Sequence, residues 1–453
     1  MLGAAVARTL ACPRCGGSLT AARTSDGWAC AACGVAYPSV GNVPCLVPDP
    51  GLWRARWAQR ADHYLTAAAR RIAELNVERS ADGLLRSTRE RLIAIMAALS
   101  ADRDVLAQLL APLQGAAAQP QAPALIPTAS APSADYEVLK FSENLFRDWV
   151  WGEAESDAAL ALVCRLLDAA GEGEPLGTVT VFGAGAGRLA VDLQRTVRPA
   201  LVVALDINPL PLLVAAELAA GREVTLHEFP IGPHGQGGVV LRRTLRCRFP
   251  IDDTLAFVIA DGLRPPLPPA SVDLVVTPWF IDATDVDPRV TAAAINRVLR
   301  PSGRWINFGP LRFNGAASRQ YTIEEIRELV TEGGFAIDNE TRESVPYFAS
   351  PDSGSHRVET IFGFAAHKTA AIPTVDLPAV DPKWITDPRA AIPRLPDWEA
   401  LRRSAVFTNG VISMIDGRRS IAEIAAALGK SWGVDPATIE DPLRAFLSRL
   451  IRG

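Results

Sequence analysis

Residues 178 to 188 constrain this chain more than any other stretch. Thr178-Val179-Thr180-Val181-Phe182 is a β-branched strand, followed without a spacer by Gly183-Ala184-Gly185-Ala186-Gly187-Arg188 and then by a helical pattern through Val197. Glycines at a strand-to-helix turn admit backbone angles closed to other residues and let a ligand approach the main chain, while the helix N-terminus offers free amides to an anionic group. The sixth position is Arg188, where a dinucleotide fingerprint needs a small residue for helix packing. Gly183, Gly185 and Gly187 therefore fit S-adenosylmethionine better than NAD.

The strands that follow strengthen this reading. Leu201-Val202-Val203-Ala204-Leu205 ends in Asp206, whose carboxylate is placed to accept both ribose hydroxyls. Leu255 to Ala260 delivers Asp261-Gly262 to the same edge, where Asp261 either meets the adenine amino group or caps a turn. Ser271 to Val276 leads into Thr277-Pro278-Trp279-Phe280-Ile281-Asp282, the expected reaction centre. There Trp279 and Phe280 can shelter a cationic sulfonium, and Asp282 can orient or deprotonate an amine. The alternative for Phe280 is a place in the core. Leu299-Arg300-Pro301-Ser302-Gly303 then reads as the turn into a strand from Arg304 to Gly309. Strands alternating with helical segments predict an open α/β, Rossmann-like sheet over residues 135–368.

The seven cysteines are bunched, five of them within the first 45 residues. Cys12-Pro13-Arg14-Cys15 and Cys30-Ala31-Ala32-Cys33 are two CxxC pairs separated by fourteen residues. Each pair is followed by glycine, which lets backbone amides approach the sulfurs, and Trp28 and Tyr37 can cover a mini-core too small to fold without metal. Cys12, Cys15, Cys30 and Cys33 are thus expected to hold a structural zinc ion in a zinc ribbon over residues 1–50, the alternatives being redox cysteines or a degenerate ribbon, with Cys45 a buried apolar residue. Residues 51–114 carry a helical pattern, its apolar face read through Leu65, Ala69, Ile72 and Leu75, then Leu92, Ile93, Met96 and Leu99. Residues 115–134 and 369–396 are Ala- or Pro-rich linkers. Residues 397–453 form a unit of winged-helix size, with Asp416-Gly417 turning into a helix from about Ser420.

With 49% hydrophobic and 21% charged residues and a formal charge of -4, the composition is that of a folded chain without a basic footprint. Arginine dominates the cations, lysine occurring at Lys140, Lys368, Lys383 and Lys430, which reads as a genomic bias of bacterial type rather than an RNA-binding signal. No run approaches the roughly 20 apolar residues of a membrane span, and Met1 to Arg8 lack the marks of a signal peptide. A cytoplasmic protein, off the membrane, is expected.

Four blocks together resemble the carnosine N-methyltransferase family of class I methyltransferases: Phe146-Arg147-Asp148-Trp149, Gly183 to Leu189, Val275 to Asp282, and Trp305-Ile306-Asn307-Phe308-Gly309-Pro310-Leu311. The resemblance implies that Asn144, Arg147, Gly183, Asp206 and Asp261 contact S-adenosylmethionine, with Gly262 beside them, and that Asp282 binds the acceptor. Asn144 stands where the family has Gln, and Asn314 where it has the imidazole-handling His. Tyr347 and His356 fall near the family's substrate-contacting tyrosines. Methyl transfer is implied, and these departures point away from carnosine itself. The N-terminal ribbon resembles modules of methyltransferase activators and ribosomal-RNA methyltransferases. Leu401 to Ile451 resembles the winged helix of coenzyme pyrroloquinoline-quinone peptide chaperones, which bind precursor peptides.

The leading expectation is an enzyme that methylates a nitrogen of a small imidazole-like metabolite or a peptide, with the C-terminal unit either a plain dimerisation or regulatory appendage or the seat of a protein or peptide partner. The alternatives are an RNA methyltransferase gripping its substrate through the ribbon, which the charge disfavours, and a catalytically idle cofactor-binding scaffold.

Overall fold

The β-branched runs become the middle of one mixed sheet. The computed structural model describes residues 6, 9–22, 27–114, 142–168, 175–233, 235–284, 286–314, 317–373, 389, 391 and 396–452. The linker expected over residues 115–134, and most of that over 369–396, lie outside the described residues. Two compact units form, Met1–Asp376 and Leu377–Gly453. None of the described helices is long and apolar enough to cross a membrane.

In the first unit β1 (Leu19–Ala21), β2 (Gly27–Cys30), β3 (Ala36–Val40) and β4 (Val43–Leu46) follow one another antiparallel. β4 then pairs in parallel with β9 (Leu255–Ala260), so the cysteine module continues the main sheet. Beyond β9 come β6 (Leu201–Asp206), β5 (Thr178–Phe182), β10 (Val272–Pro278) and β11 (Leu299–Gly309), all parallel. The far edge, β13 (Arg357–Lys368) and β12 (Phe335–Tyr347), is antiparallel. β7 (Val224–Glu228) and β8 (Leu241–Leu245) form a separate hairpin. β9 is buried along its whole length, as expected of a parallel strand covered on both faces.

Side chains alternate between two apolar layers, as the two-residue period of a strand dictates. Val202 and Ala204 face α1 (Pro50–Arg79), α2 (Arg86–Gln114), α4 (Glu153–Asp168), α5 (Arg188–Thr196) and α6 (Pro209–Ala219). Val203 and Leu205 face α7 (Pro288–Val298), α8 (Ile323–Glu332) and the cysteine module. Cys45 is fully buried in β4, as expected.

Three details differ from the sequence reading. The strand expected from Arg304 begins at Leu299, because the Leu299–Gly303 turn is absorbed as a bulge. Its register jumps from Val272↔Leu299 to Leu274↔Arg304, and Ser302 takes φ 59°. The buried stripe of α1 runs through Trp53, Trp57, Ala61, Tyr64, Ala68 and Leu75, leaving Ala69 exposed, since the large aromatics claim the interior. On α2, Leu92 is buried and Ile93 is 49% exposed.

The second unit consists, among the described residues, of α9 (Pro396–Met414), α10 (Ile421–Trp432) and α11 (Ala437–Arg452) around Val411, Ile424, Leu428 and Leu443. Asp416 accepts from the Arg418 and Arg419 amides, both at 2.9 Å, in the expected turn, and Ser420 with Glu423 closes a capping box on α10. No strand is found there among the described residues, so the wing expected of a winged helix is not seen.

Candidate functional site

Register brings the loops after β5, β6, β9, β10 and β11 to one edge: Phe182 pairs with Leu205, Asp206 with Ile259 and Pro278 with Phe308. Within the glycine loop the residues differ in role. A Cβ on Gly187 would stand 2.5 Å from the Phe257 ring, and one on Gly183 2.7 Å from Phe280, so both glycines serve close packing. Gly185, at φ 55°, has nothing within 4 Å of where its Cβ would be, which leaves a cradle beside the main chain. The Gly185 amide donates to Asp206 Oδ2 and the Asn208 amide to Oδ1, each at 2.8 Å. Burial pushes the Asp206 carboxyl up to about 6 despite these amides. A clasped carboxylate beside an open glycine face fits the ribose and methionine ends of S-adenosylmethionine.

Asp261 spends Oδ1 on the Leu263 amide at 2.9 Å, which realises the turn-cap alternative for that oxygen. A Cβ on Gly262 would stand 2.7 Å from Phe280. Phe280 is therefore a wedge between the glycine loop and the Asp261 turn, half-buried and edge-on to Phe182 at 6.0 Å. The expectation of paired aromatic walls is corrected here: Trp279 packs on the layer opposite to that of Phe280.

A covering segment lies over this loop. Asn144 sits half-buried on α3 (Ser142–Phe146), and Arg147 opens a π-helical turn through Trp151. Trp149 Nε1 donates to Ala186 O at 3.0 Å and Arg188 to Asp148 O at 3.0 Å, so the segment is pinned to the loop. The Arg147 guanidinium pairs with Asp148 at 2.7 Å and stands 5.3 Å from the Phe348 ring centre.

At the end of β10, Trp279 takes φ 46°, an uncommon angle for a bulky residue and one that clusters at functional sites. It stacks on Tyr347 at 5.3 Å and meets Phe308 edge-on at 5.2 Å. Its indole Nε1 donates to Glu359 Oε2 at 3.0 Å. Asp282, 7% exposed, accepts from the Arg312 amide at 2.7 Å. Burial raises its pKa, and the nearby Glu359 adds to the rise. Asn314 and His356 are exposed. Sequence reasoning missed Glu359 and Arg312; the available signal was a glutamate at an inward position of a strand whose next inward residue is Ile361.

The four expected cysteines converge at the other end of the unit. All their sulfurs lie within 4.8 Å of one another, with Cys12 to Cys33 at 3.7 Å and Cys15 to Cys30 at 3.5 Å. Tetrahedral ligands about 2.3 Å from one ion would stand about 3.8 Å apart, so the set fits a metal ion. A Cβ on Gly17 would stand 3.1 Å from Cys30 Sγ, which explains the small residue there. The buried Tyr37 hydroxyl lies 2.9 Å from Cys12 Sγ.

Residues 181–307 match the family model of a methyltransferase domain and residues 256–362 that of carnosine N-methyltransferase. The chain carries an S-adenosylmethionine-dependent methyltransferase domain. The carnosine-type match covers Trp279, Asp282, Arg312 and Glu359 and stops short of the glycine loop, a narrower stretch than the four blocks span. Residues 410–452 match coenzyme PQQ synthesis protein D. No curated protein matches the chain. Among solved structures, a Haemonchus contortus phosphoethanolamine N-methyltransferase 2 is 16% identical over 54% of this chain and 62% of its own, with a TM-score of 0.35. This chain thus spans less than two thirds of that protein's length. The Haloferax volcanii complex of the Trm112 methyltransferase activator with a putative methyltransferase is 18% identical over 52% and 96%, TM-score 0.35. A Methanosarcina mazei S-adenosylmethionine-dependent methyltransferase is 15% identical over 43% and 94%, TM-score 0.31. None of these likenesses is close enough to bear on the acceptor.

Proposed function

We propose that the methyltransferase domain transfers a methyl group from S-adenosylmethionine to a nitrogen of a small imidazole-like metabolite or a peptide. The observation that carries this reading is the shared edge on which the Gly185–Asp206 cradle and the buried Asp282 stand. When bound, S-adenosylmethionine supplies an electrophilic methyl group on a sulfonium. Gly183, Gly185, Gly187, Asp206, Asp261 and Gly262 would hold it, with Asn144 and Arg147 covering it. A nitrogen acceptor would need its lone pair free toward that methyl group and would have to give up a proton. Trp279 and Asp282 position the acceptor, and Asp282 takes or steers that proton. Asn314 is proposed as a further polar contact for the acceptor.

Cys12, Cys15, Cys30 and Cys33 would hold a structural zinc ion, which would supply folding energy to a module too small for a core of its own. Through β4 it would brace β9, whose last residue, Ala260, pairs with Leu46 and precedes Asp261. The C-terminal unit is proposed to bind a peptide or protein partner. RNA is the less favoured acceptor, because a formal charge of -4 gives no basic footprint for phosphates.

Incubating the protein with methyl-labelled S-adenosylmethionine and separate pools of imidazole compounds, peptides and RNA tests the reading. Label in imidazole compounds or peptides is expected. Label confined to RNA would overturn the acceptor assignment, and cofactor binding without label in any pool would favour the scaffold.

A further inference from the structure

Glu359 and Arg312 are charged residues at the acceptor end that no motif accounts for. Glu359 projects from β13 into the buried layer, 3% exposed, with Oε2 held by Trp279 Nε1 and Oε1 3.2 Å from an Arg312 guanidinium nitrogen. The Arg312 side chain is 62% exposed, so its charge stays largely in water while its backbone amide is committed to Asp282. Asp282 and Glu359 thus bring two buried carboxyl groups to the acceptor end, and Arg312 contacts both, one through its backbone amide and the other through its guanidinium. Arg147 is occupied by Asp148, and Arg357 lies over the Tyr347 and Phe348 rings.

A carboxylate this deeply buried is tolerated when it is paired, and losing its cation leaves an uncompensated charge. Arg312 can therefore swing aside at little cost if another cation takes its place against Glu359. An anionic acceptor offers no such exchange: it would compete with Glu359 for Arg312 and meet two buried carboxylates. We infer that Glu359 determines acceptor specificity, selecting a molecule with a cationic group beside its neutral nucleophilic nitrogen, and that Arg312 holds the carboxylate until such an acceptor arrives. The inference rests on the methyl-transfer reading of this site and adds the charge of the acceptor to it. Trp279 links the two roles, because one indole both binds Glu359 and forms the aromatic wall.

Histamine and imidazolepropionate share an imidazole and carry opposite charges on the side arm, so they serve as probes. Their binding is measured by calorimetry on the full chain saturated with S-adenosylhomocysteine. Wild type is expected to bind histamine at least about tenfold more tightly than imidazolepropionate, in proportion to the charge discrimination of a buried carboxylate. Glu359→Gln keeps the shape and an acceptor for Trp279, and should bring the two affinities within about threefold while leaving S-adenosylhomocysteine binding unchanged. Arg312→Gln should hold or improve histamine binding without improving that of imidazolepropionate. Equal affinities in wild type, a preference for the anion, no saturable histamine binding, or an unaltered ratio in Glu359→Gln would each overturn the inference. Failure of S-adenosylhomocysteine to bind at all would instead count against the methyl-transfer reading, so the two outcomes are distinct.

Discussion

The proposed cofactor end and the proposed acceptor end of the sheet edge are built by different rules. At the cofactor end a short run of chain does nearly everything: Gly183 to Gly187 and Asp206 are joined by backbone amides across two adjacent strands. At the acceptor end, Trp279, Arg312, Tyr347 and Glu359 come from four segments and meet through side chains. The first half depends on what the backbone can do, and the second on which side chains happen to face each other. Substitutions should therefore damage the two halves in separable ways.

The largest separation is expected from Asp282→Ala. Loss of a positioned base or orienting carboxylate should cut turnover by about a thousandfold, while the cofactor dissociation constant moves by less than about threefold. Steady-state kinetics beside calorimetry reads both, and unchanged turnover would remove Asp282 from the chemistry. Within the cofactor half, two glycines give a sharper contrast. Gly187→Ala forces a Cβ against Phe257 and should cost about 3 kcal/mol of stability by overpacking and left-handed strain, seen as a lowered melting temperature. Gly185→Ala points into open space, so it should cost about 1 kcal/mol of stability and weaken cofactor binding about tenfold. Equal melting temperatures with equal binding losses would erase the distinction.

Smaller effects test the links to the two halves. A zinc chelator should release one zinc per chain and weaken cofactor binding by about tenfold, because the cysteine module braces β9 beside Asp261. Metal analysis that finds no zinc in the purified protein would contradict this. The smallest effect is with pH. Asp206 is raised from 3.8 to about 6 by burial, so its own contribution to stability is full below 3.8 and is lost as pH rises through about 6. Cofactor binding has the opposite sign, since ribose hydroxyls need an ionised acceptor. Affinity should fall several-fold between pH 7 and about 5.5 in wild type and stay flat in Asp206→Asn.

The same contrast explains what could be read from sequence. β5, β6 and β9 are legible because buried parallel strands are continuous apolar runs, and the place of Asp206 beside the glycine loop because it ends the strand next to β5. The four cysteines are legible because ligand spacing is local. The joining of β4 to β9 is not, since nothing in Val43–Leu46 marks the edge of a distant sheet. The directions of Trp279 and Phe280 are not legible either, since Trp279 takes a left-handed backbone that no local pattern announces. Glu359 stayed hidden because its meaning comes from Trp279 and Arg312, both far away in the chain.

Calorimetric titration of S-adenosylmethionine into wild type, Asp206→Ala and Asp282→Ala tests the central claim, a cofactor half and an acceptor half on one edge, most directly. The account predicts saturable binding to wild type and to Asp282→Ala with nearly the same affinity, and a loss of about a hundredfold in Asp206→Ala. Binding that survives in Asp206→Ala, or that collapses equally in both variants, would contradict it.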